Sequence, residues 1–166
     1  MTIFGSGSIR ADEPAYAVAG ELGAELARRG WTVCNGGYGG TMEASARGAR
    51  EQGGHTIGVT CAALGRSGPN PFIQEERKTA TLLDRLGMLV ELGQAHVVLP
   101  GGAGTLLELA YVMDLRNKRL AHPAPFVAIG TAWRPVVECI QAGSAGPRFV
   151  RDVREALAYL ASTVAP

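Results

Sequence analysis

Residues 95–118 read AHVVLPGGAGTLLELAYVMDLRNK, and this stretch decides the fold. A short apolar run, Val97, Val98 and Leu99, stops at Pro100. It gives way to Gly101-Gly102-Ala103-Gly104-Thr105, and an apolar pattern with helical spacing begins at Leu106. That order predicts a strand, a glycine turn and a helix. Three glycines in four positions let backbone approach a ligand, because no Cβ stands in the way. The helix then aims unpaired N–H groups and the positive end of its dipole at that space, which suits a phosphate. Glu108 falls one turn inside the same helix, on the side of Gly104. An acid there serves equally as a favourable charge at a helix start or as a carboxylate held close to a bound phosphate ester.

Working outward, the same grammar recurs. Thr2-Ile3-Phe4 is a short strand breaking at Gly5-Ser6-Gly7-Ser8, and its place at the very start predicts a central strand. Asp12-Glu13-Pro14 opens a helix with an Ala15, Ala19, Leu22, Leu26 stripe that ends at Gly30. Trp31 to Cys34 is the next strand, broken by Asn35-Gly36-Gly37-Tyr38-Gly39-Gly40. A helix from Thr41 fades at Gly53-Gly54, and Thr56 to Thr60 is the third strand. From Ala62 to Lys78 the pattern fails, and Gly65, Gly68, Pro69 and Pro71 predict a long irregular connection, often a binding loop or lid. Thr81 with Asp84 marks a further helix start. That helix turns Leu82, Leu86 and Leu89 inward, carries Arg85 in its first turns and ends near Gly93. Phe126 to Ile129 is a fifth strand, Arg134 to Gln141 a short helix, and Val153, Ala156, Leu157 and Leu160 a last amphipathic helix.

Apolar strands alternating with helices predict an α/β fold: one domain over residues 1–166, with a Rossmann-like open parallel sheet and helices on both faces. Ligands of such sheets bind beyond the carboxyl ends of the strands, where the turns at 5–8, 36–40 and 101–104 all fall.

Composition narrows the function. The 166 residues contain 23 glycines and carry a net charge of +1, which gives no electrostatic footprint for nucleic acid or an anionic membrane. No membrane-length apolar run and no signal peptide is read, so a cytoplasmic location is expected. Cys34, Cys61 and Cys139 are odd in number, without a CxxC pair, and read as reduced thiols acting as small core hydrophobes. His55, His96 and His122 are scattered, so no metal site is expected. The GxGxxG fingerprint fails at each turn, with Arg10, Met42 and Leu107 where the third glycine belongs. No Gly-Lys pair supplies a Walker loop, and no GxSxG elbow occurs. Lys78 and Lys118 are the only lysines, one in a polar run and one at a helix end, which argues against pyridoxal phosphate. No cofactor is expected.

Pro100-Gly101-Gly102-Ala103-Gly104-Thr105-Leu106-Leu107-Glu108 matches PGGxGTxxE, and through it the chain resembles the LOG-like family. These phosphoribohydrolases cleave cytokinin riboside monophosphates and related nucleoside 5′-monophosphates and are often mislabelled lysine decarboxylases. The turn at Ile3 to Ser8 and the run Asn35 to Glu43 look like the family's first and second glycine turns. Arg85, fifteen residues before Pro100 with Met88 three later, is similar to its Arg-Lys-x-x-Met helix, and the resemblance covers residues 2 to 130. Two features depart from it: Leu86 stands where the family carries lysine, and the 62–78 connection follows other wording. Arg77-Lys78 lies too early to replace that pair.

The resemblance implies Arg85 and Glu108 as catalytic residues. It implies a phosphate and substrate site from Gly5, Ser6, Gly36, Gly37, Gly39, Gly40, Thr41, Gly101, Gly102, Ala103, Gly104 and Thr105. The phosphate rests on the amides of Gly102, Gly104 and Thr105, with the Thr105 hydroxyl assisting. A homodimer is implied through the helix after the motif. Tyr38 and Tyr111 read as core aromatics or base-stacking rings, His96 as a satisfied interior histidine, and Asp114 with Arg116 to Arg119 as a solvated or subunit-facing helix end. The rival reading is a carrier on the same scaffold, binding a nucleotide or a molybdenum cofactor without turnover.

Overall fold

The computed structural model describes residues 1–120, 124–140 and 145–164. Seven parallel strands form one sheet: β1 (Thr2–Phe4), β2 (Val33–Asn35), β3 (Thr56–Cys61), β4 (Glu75–Thr79), β5 (His96–Val98), β6 (Phe126–Ile129) and β7 (Arg148–Val150), in the order β4-β3-β2-β1-β5-β6-β7. The helices are α1 (Pro14–Arg28), α2 (Thr41–Glu51), α3 (Leu82–Glu91), α4 (Ala103–Asn117), α5 (Arg134–Cys139) and α6 (Val153–Thr163). This is the Rossmann-like α/β fold, and β1 is central as its position in the chain predicts.

The period of two in each strand divides the core. Ile3 pairs with Val97 and Val97 with Val127, and all three face α1, α2 and α6. The next residues along, Phe4, Val98 and Ala128, pack with Leu89 of α3 and with Leu109, Val112 and Met113 of α4 on the other face. Strands buried on both faces read as continuous apolar runs, which is why they were legible.

The topology places the site. From β1 the chain steps outward through β2 and β3 to β4, then returns to lay β5 on the other side of β1. Beyond the ends of β1 and β5 the connections leave in opposite directions, and a crevice opens at that switch point. The first and third glycine turns lie there, side by side.

Several expectations need correction. Residues 62–78 are not irregular throughout: a 3-10 turn occupies Ala62–Leu64, and Glu75–Thr79 is the edge strand β4, paired in register with Ile57–Cys61. Its sequence EERKT has no apolar face because an edge strand guards itself with charge. Strand β7 also escaped notice, since RFV lies at the opposite edge and buries only Val150, leaving no apolar run. Helix α4 starts at Ala103, three residues before its apolar pattern. Leu82 is 49% exposed, whereas Leu86 and Leu89 are buried. Cys34 and Cys61 are buried, but Cys139 is exposed. Helix α5 ends at Cys139, and Gln141 and His122 lie outside the described residues.

Candidate active site

The end of β5 is fixed from outside the motif. Trp133 is buried and donates its indole N–H to the Leu99 carbonyl at 2.9 Å, directly before Pro100. Helix α4 is capped by Gly102, and the first α4 amide with a backbone partner is Leu106, donating to Gly102 at 3.0 Å. The amides of Ala103, Gly104 and Thr105 are thus the free donors of a helix start. A Cβ added at Gly102 or Gly104 would meet nothing within 4 Å, so space for a ligand is open there. Gly101 has another reason to be glycine: its Cβ would lie 2.2 Å from the Thr105 hydroxyl. That hydroxyl is buried without a partner, tucked beneath Gly101.

The first two turns are clasped to each other. Thr41 donates both its amide (2.9 Å) and its hydroxyl (3.1 Å) to the Ser6 carbonyl. A Cβ on Gly5 would strike the Thr41 hydroxyl, and one on Gly40 would strike the Ser6 carbonyl at 2.2 Å. Gly40 also sits at φ +65, a region that favours glycine. Gly5, Gly40 and Thr41 therefore hold the first two turns against each other. Asn35 shapes the second turn: its carbonyl oxygen accepts from Gly37 N at 2.8 Å, while its amide donates to the Met42 carbonyl at 2.9 Å. Ser6 and Gly39 are half-buried at this edge, whereas Gly36 and Gly37 are buried.

Arg85 crosses from α3 into this assembly. Its Nε donates to the Val59 carbonyl at 2.8 Å and its Nη2 to the Gly36 carbonyl at 3.1 Å. A Cβ on Gly36 would fall 1.8 Å from that Nη2, so Gly36 is the notch that admits the guanidinium. The remaining nitrogen, Nη1, lies 3.9 Å from Glu108 Oε1, with only 14% and 12% of the two side chains exposed. Burial pushes the Glu108 carboxyl up to about 7, while the Arg85 charge pulls it the other way. The two residues predicted as catalytic are brought together, one turn from the open helix start. Leu86 points into the core, so that position offers no cation to the crevice. Arg77 and Lys78 stand exposed on β4, and Arg77 pairs with Glu75.

Other candidates resolve differently. Tyr38 is buried, its hydroxyl accepting from Cys61 N at 2.9 Å. His96 stacks on Phe4 at 5.7 Å, with Nε2 3.1 Å from the Val90 carbonyl. Its Nδ1 has no partner, so it is not fully satisfied, and burial holds it down at about 4. Arg116 is no solvated cation: it donates to the Ala124 carbonyl at 2.6 Å and the Ala145 carbonyl at 3.2 Å, whereas Asp114 and Lys118 form an exposed pair. Among the described residues no group of His, Cys, Asp or Glu converges as a metal site, and no helix is long and apolar enough to cross a membrane. Sequence reasoning missed Trp133, Asn35 and Asn70. Asn35, directly before a glycine run, and Asn70, between Pro69 and Pro71, carried local turn signals, whereas Trp133 carried none.

Fold and crevice together define a doubly wound α/β domain with a helix start of free amides beside a buried acid–arginine pair. The SLOG cluster4 family model matches residues 1–121, and the chain belongs to that LOG-like family. It is 42% identical over 94 residues to the cytokinin riboside 5′-monophosphate phosphoribohydrolase of Mycobacterium tuberculosis, a match covering 55% of this chain and 50% of that one. It is 30% identical over 132 residues to the pyrimidine/purine nucleotide 5′-monophosphate nucleosidase of Escherichia coli K12, covering 75% of this chain and 28% of the relative. The chain thus aligns with half or less of these two relatives. Among solved structures, the molybdenum cofactor carrier protein of Chlamydomonas reinhardtii superposes with a TM-score of 0.76 at 26% identity, over 97% of this chain and 94% of the other.

Proposed function

We propose that the protein hydrolyses the N-glycosidic bond of a nucleoside 5′-monophosphate, giving free base and ribose 5-phosphate. The observation that carries this reading is the buried Glu108 carboxyl, facing Arg85 one turn inside a helix whose first amides are free. The phosphate binds the amides of Gly102, Ala103, Gly104 and Thr105, favoured by the helix dipole. The ribose then lies against Glu108. As the C1′–N bond breaks, its electron pair leaves with the base, which takes up a proton, and positive charge builds on the ribose ring. Ionised Glu108 stabilises that charge more in the transition state than in the ground state, and it orients the water that adds to C1′. Arg85, held by two carbonyls, keeps the acid in place and favours its ionised form.

No step needs pyridoxal phosphate or a metal, and both lysines are exposed, one on β4 and one at the end of α4. A homodimer belongs to the same reading. Leu82, Leu83, Leu106 and Leu107 are exposed at the starts of α3 and α4, and a groove of about 350 Å³ runs between Val90, His96, Tyr111 and Leu115. A cytoplasmic site of action is proposed with it.

The likeness to a molybdenum cofactor carrier over nearly the whole of both chains favours a second reading, ligand carriage without turnover. Incubating the purified protein with a panel of nucleoside monophosphates and following free base by chromatography separates the two. Base release with turnover supports the hydrolase; tight retention of ligand with no base released supports the carrier.

A further inference from the structure

The connection between β3 and β4 is strapped over the second glycine turn. At its start, Cys61 N donates to the Tyr38 hydroxyl, which donates to the Cys61 carbonyl at 3.3 Å. At its far end Asn70 donates through its side chain to the carbonyls of Gly37 (3.1 Å) and Tyr38 (2.8 Å), and through its amide to Gly37 at 2.7 Å. Between these pins, Arg66 and Ser67 lie at the crown, flanked by Gly65 at φ +62 and Gly68 at φ +127. The Arg66 guanidinium carbon stands 4.7 Å from the centre of the Tyr38 ring, and that of Arg85 stands 5.6 Å from the same point. Arg66 is exposed and, among the described residues, joins no ion pair. Tyr38 itself is buried, so what this turn offers an incoming ligand is the Arg66 cation and not an aromatic face.

Its place on the sheet edge is informative. The start of α4 stands beyond β5, and the Tyr38 turn stands beyond β2, two strands away across β1. Two strand spacings are about 10 Å, comparable to the reach of a nucleoside monophosphate from phosphorus to base. Arg85 and Glu108 bridge that interval. A phosphate on α4 and a ribose at Glu108 direct the base to the crown of the strap.

We propose that Arg66 is the base-reading residue and that it selects a 6-oxopurine monophosphate. A guanidinium carries only donors, and its fork matches a pair of acceptors such as O6 and N7 of guanine or hypoxanthine. Adenine sets an amino donor where O6 would be and leaves half of the fork unpaired. The proposal rests on the nucleoside monophosphate reading of the same crevice.

The experiment is a calorimetric titration of the wild type, Arg66→Ala and Arg66→Lys with GMP, IMP and AMP. Wild type should bind GMP and IMP more tightly than AMP. Arg66→Ala should weaken both oxopurines by roughly tenfold to a hundredfold and AMP by less than threefold, erasing the preference. Arg66→Lys, which keeps the charge but not the fork, should lose most of the preference too. Equal weakening of all three nucleotides by Arg66→Ala, or full selectivity in Arg66→Lys, overturns base reading in favour of plain charge. Unchanged binding in Arg66→Ala overturns the proposal alone. Failure of the wild type to bind any of the three overturns the nucleotide reading and the proposal with it. Equal thermal midpoints of the three proteins, expected for an exposed loop position, show that binding and not folding is being read.

Discussion

Glu108 is an acid pulled two ways, and its behaviour with pH follows. A carboxyl raised from 4.5 to about 7 by burial carries about 3 kcal/mol against ionisation. The native state then holds a proton that the unfolded chain has lost, so this group's contribution to stability falls as pH rises from about 4.5 through 7. His96 acts in the opposite sense: held down at about 4, it takes stability away as pH falls from 6.5 toward 4. Between pH 4.5 and 6.5 the two slopes oppose each other. Glu108→Gln removes one of them, so denaturant unfolding should show the variant gaining stability with pH more steeply than wild type over that range, by about 2 kcal/mol. Parallel profiles would contradict the assignment. In catalysis the ionised acid is the working form, so wild-type kcat/KM should rise with pH and level off above an inflection near 7. Glu108→Gln should lower base release by about 10²–10⁴-fold, lose that inflection and still bind nucleotide. Full activity in the variant removes Glu108 from the mechanism.

At the scale of elements, glycines in one crevice have opposite uses. Gly36 is a notch for Arg85, so Gly36→Ala should leave a folded protein whose guanidinium has been pushed from its two carbonyls. Its rate should fall toward that of Arg85→Ala, with a stability loss of about 1–3 kcal/mol from the broken hydrogen bonds. Gly104 faces open space within a helix, so Gly104→Ala should fold with about 0.5–1 kcal/mol more stability yet bind a nucleoside monophosphate at least tenfold more weakly. Calorimetric melting and nucleotide titration read both variants; nucleotide binding unimpaired in Gly104→Ala would move the phosphate elsewhere. These contrasts were not legible in the sequence, where every glycine of PGGAGT and NGGYGG reads alike. Whether the missing Cβ makes room for a ligand or for the protein's own atoms depends on what the fold brings against it, such as Arg85 for Gly36, 49 residues along the chain. The helices and central strands were legible because packing on both faces writes a strong apolar pattern. The edge strands β4 and β7 were not, because one is guarded by charge and the other, Arg148–Val150, buries only Val150.

For the whole molecule, the topology accounts for what the motif alone could not. PGGAGTLLE places an acid near a helix start, but only the return of the chain beside β1 brings Arg85, from a helix that follows an edge strand, against that acid. Trp133, 34 residues beyond Leu99, then secures the end of β5 from the far side of the sheet order. The nine-residue motif therefore located the acid and the open helix start, while the clasped turns and the strap over Tyr38 emerged only from the fold. The account is tested most directly by diffraction from Glu108→Gln crystals soaked in a nucleoside 5′-monophosphate. It predicts the phosphorus over the amides of Gly102 to Thr105, with C1′ facing the side chain at 108. Density showing that crevice empty, or the phosphate seated elsewhere with the sugar turned away from residue 108, would contradict it.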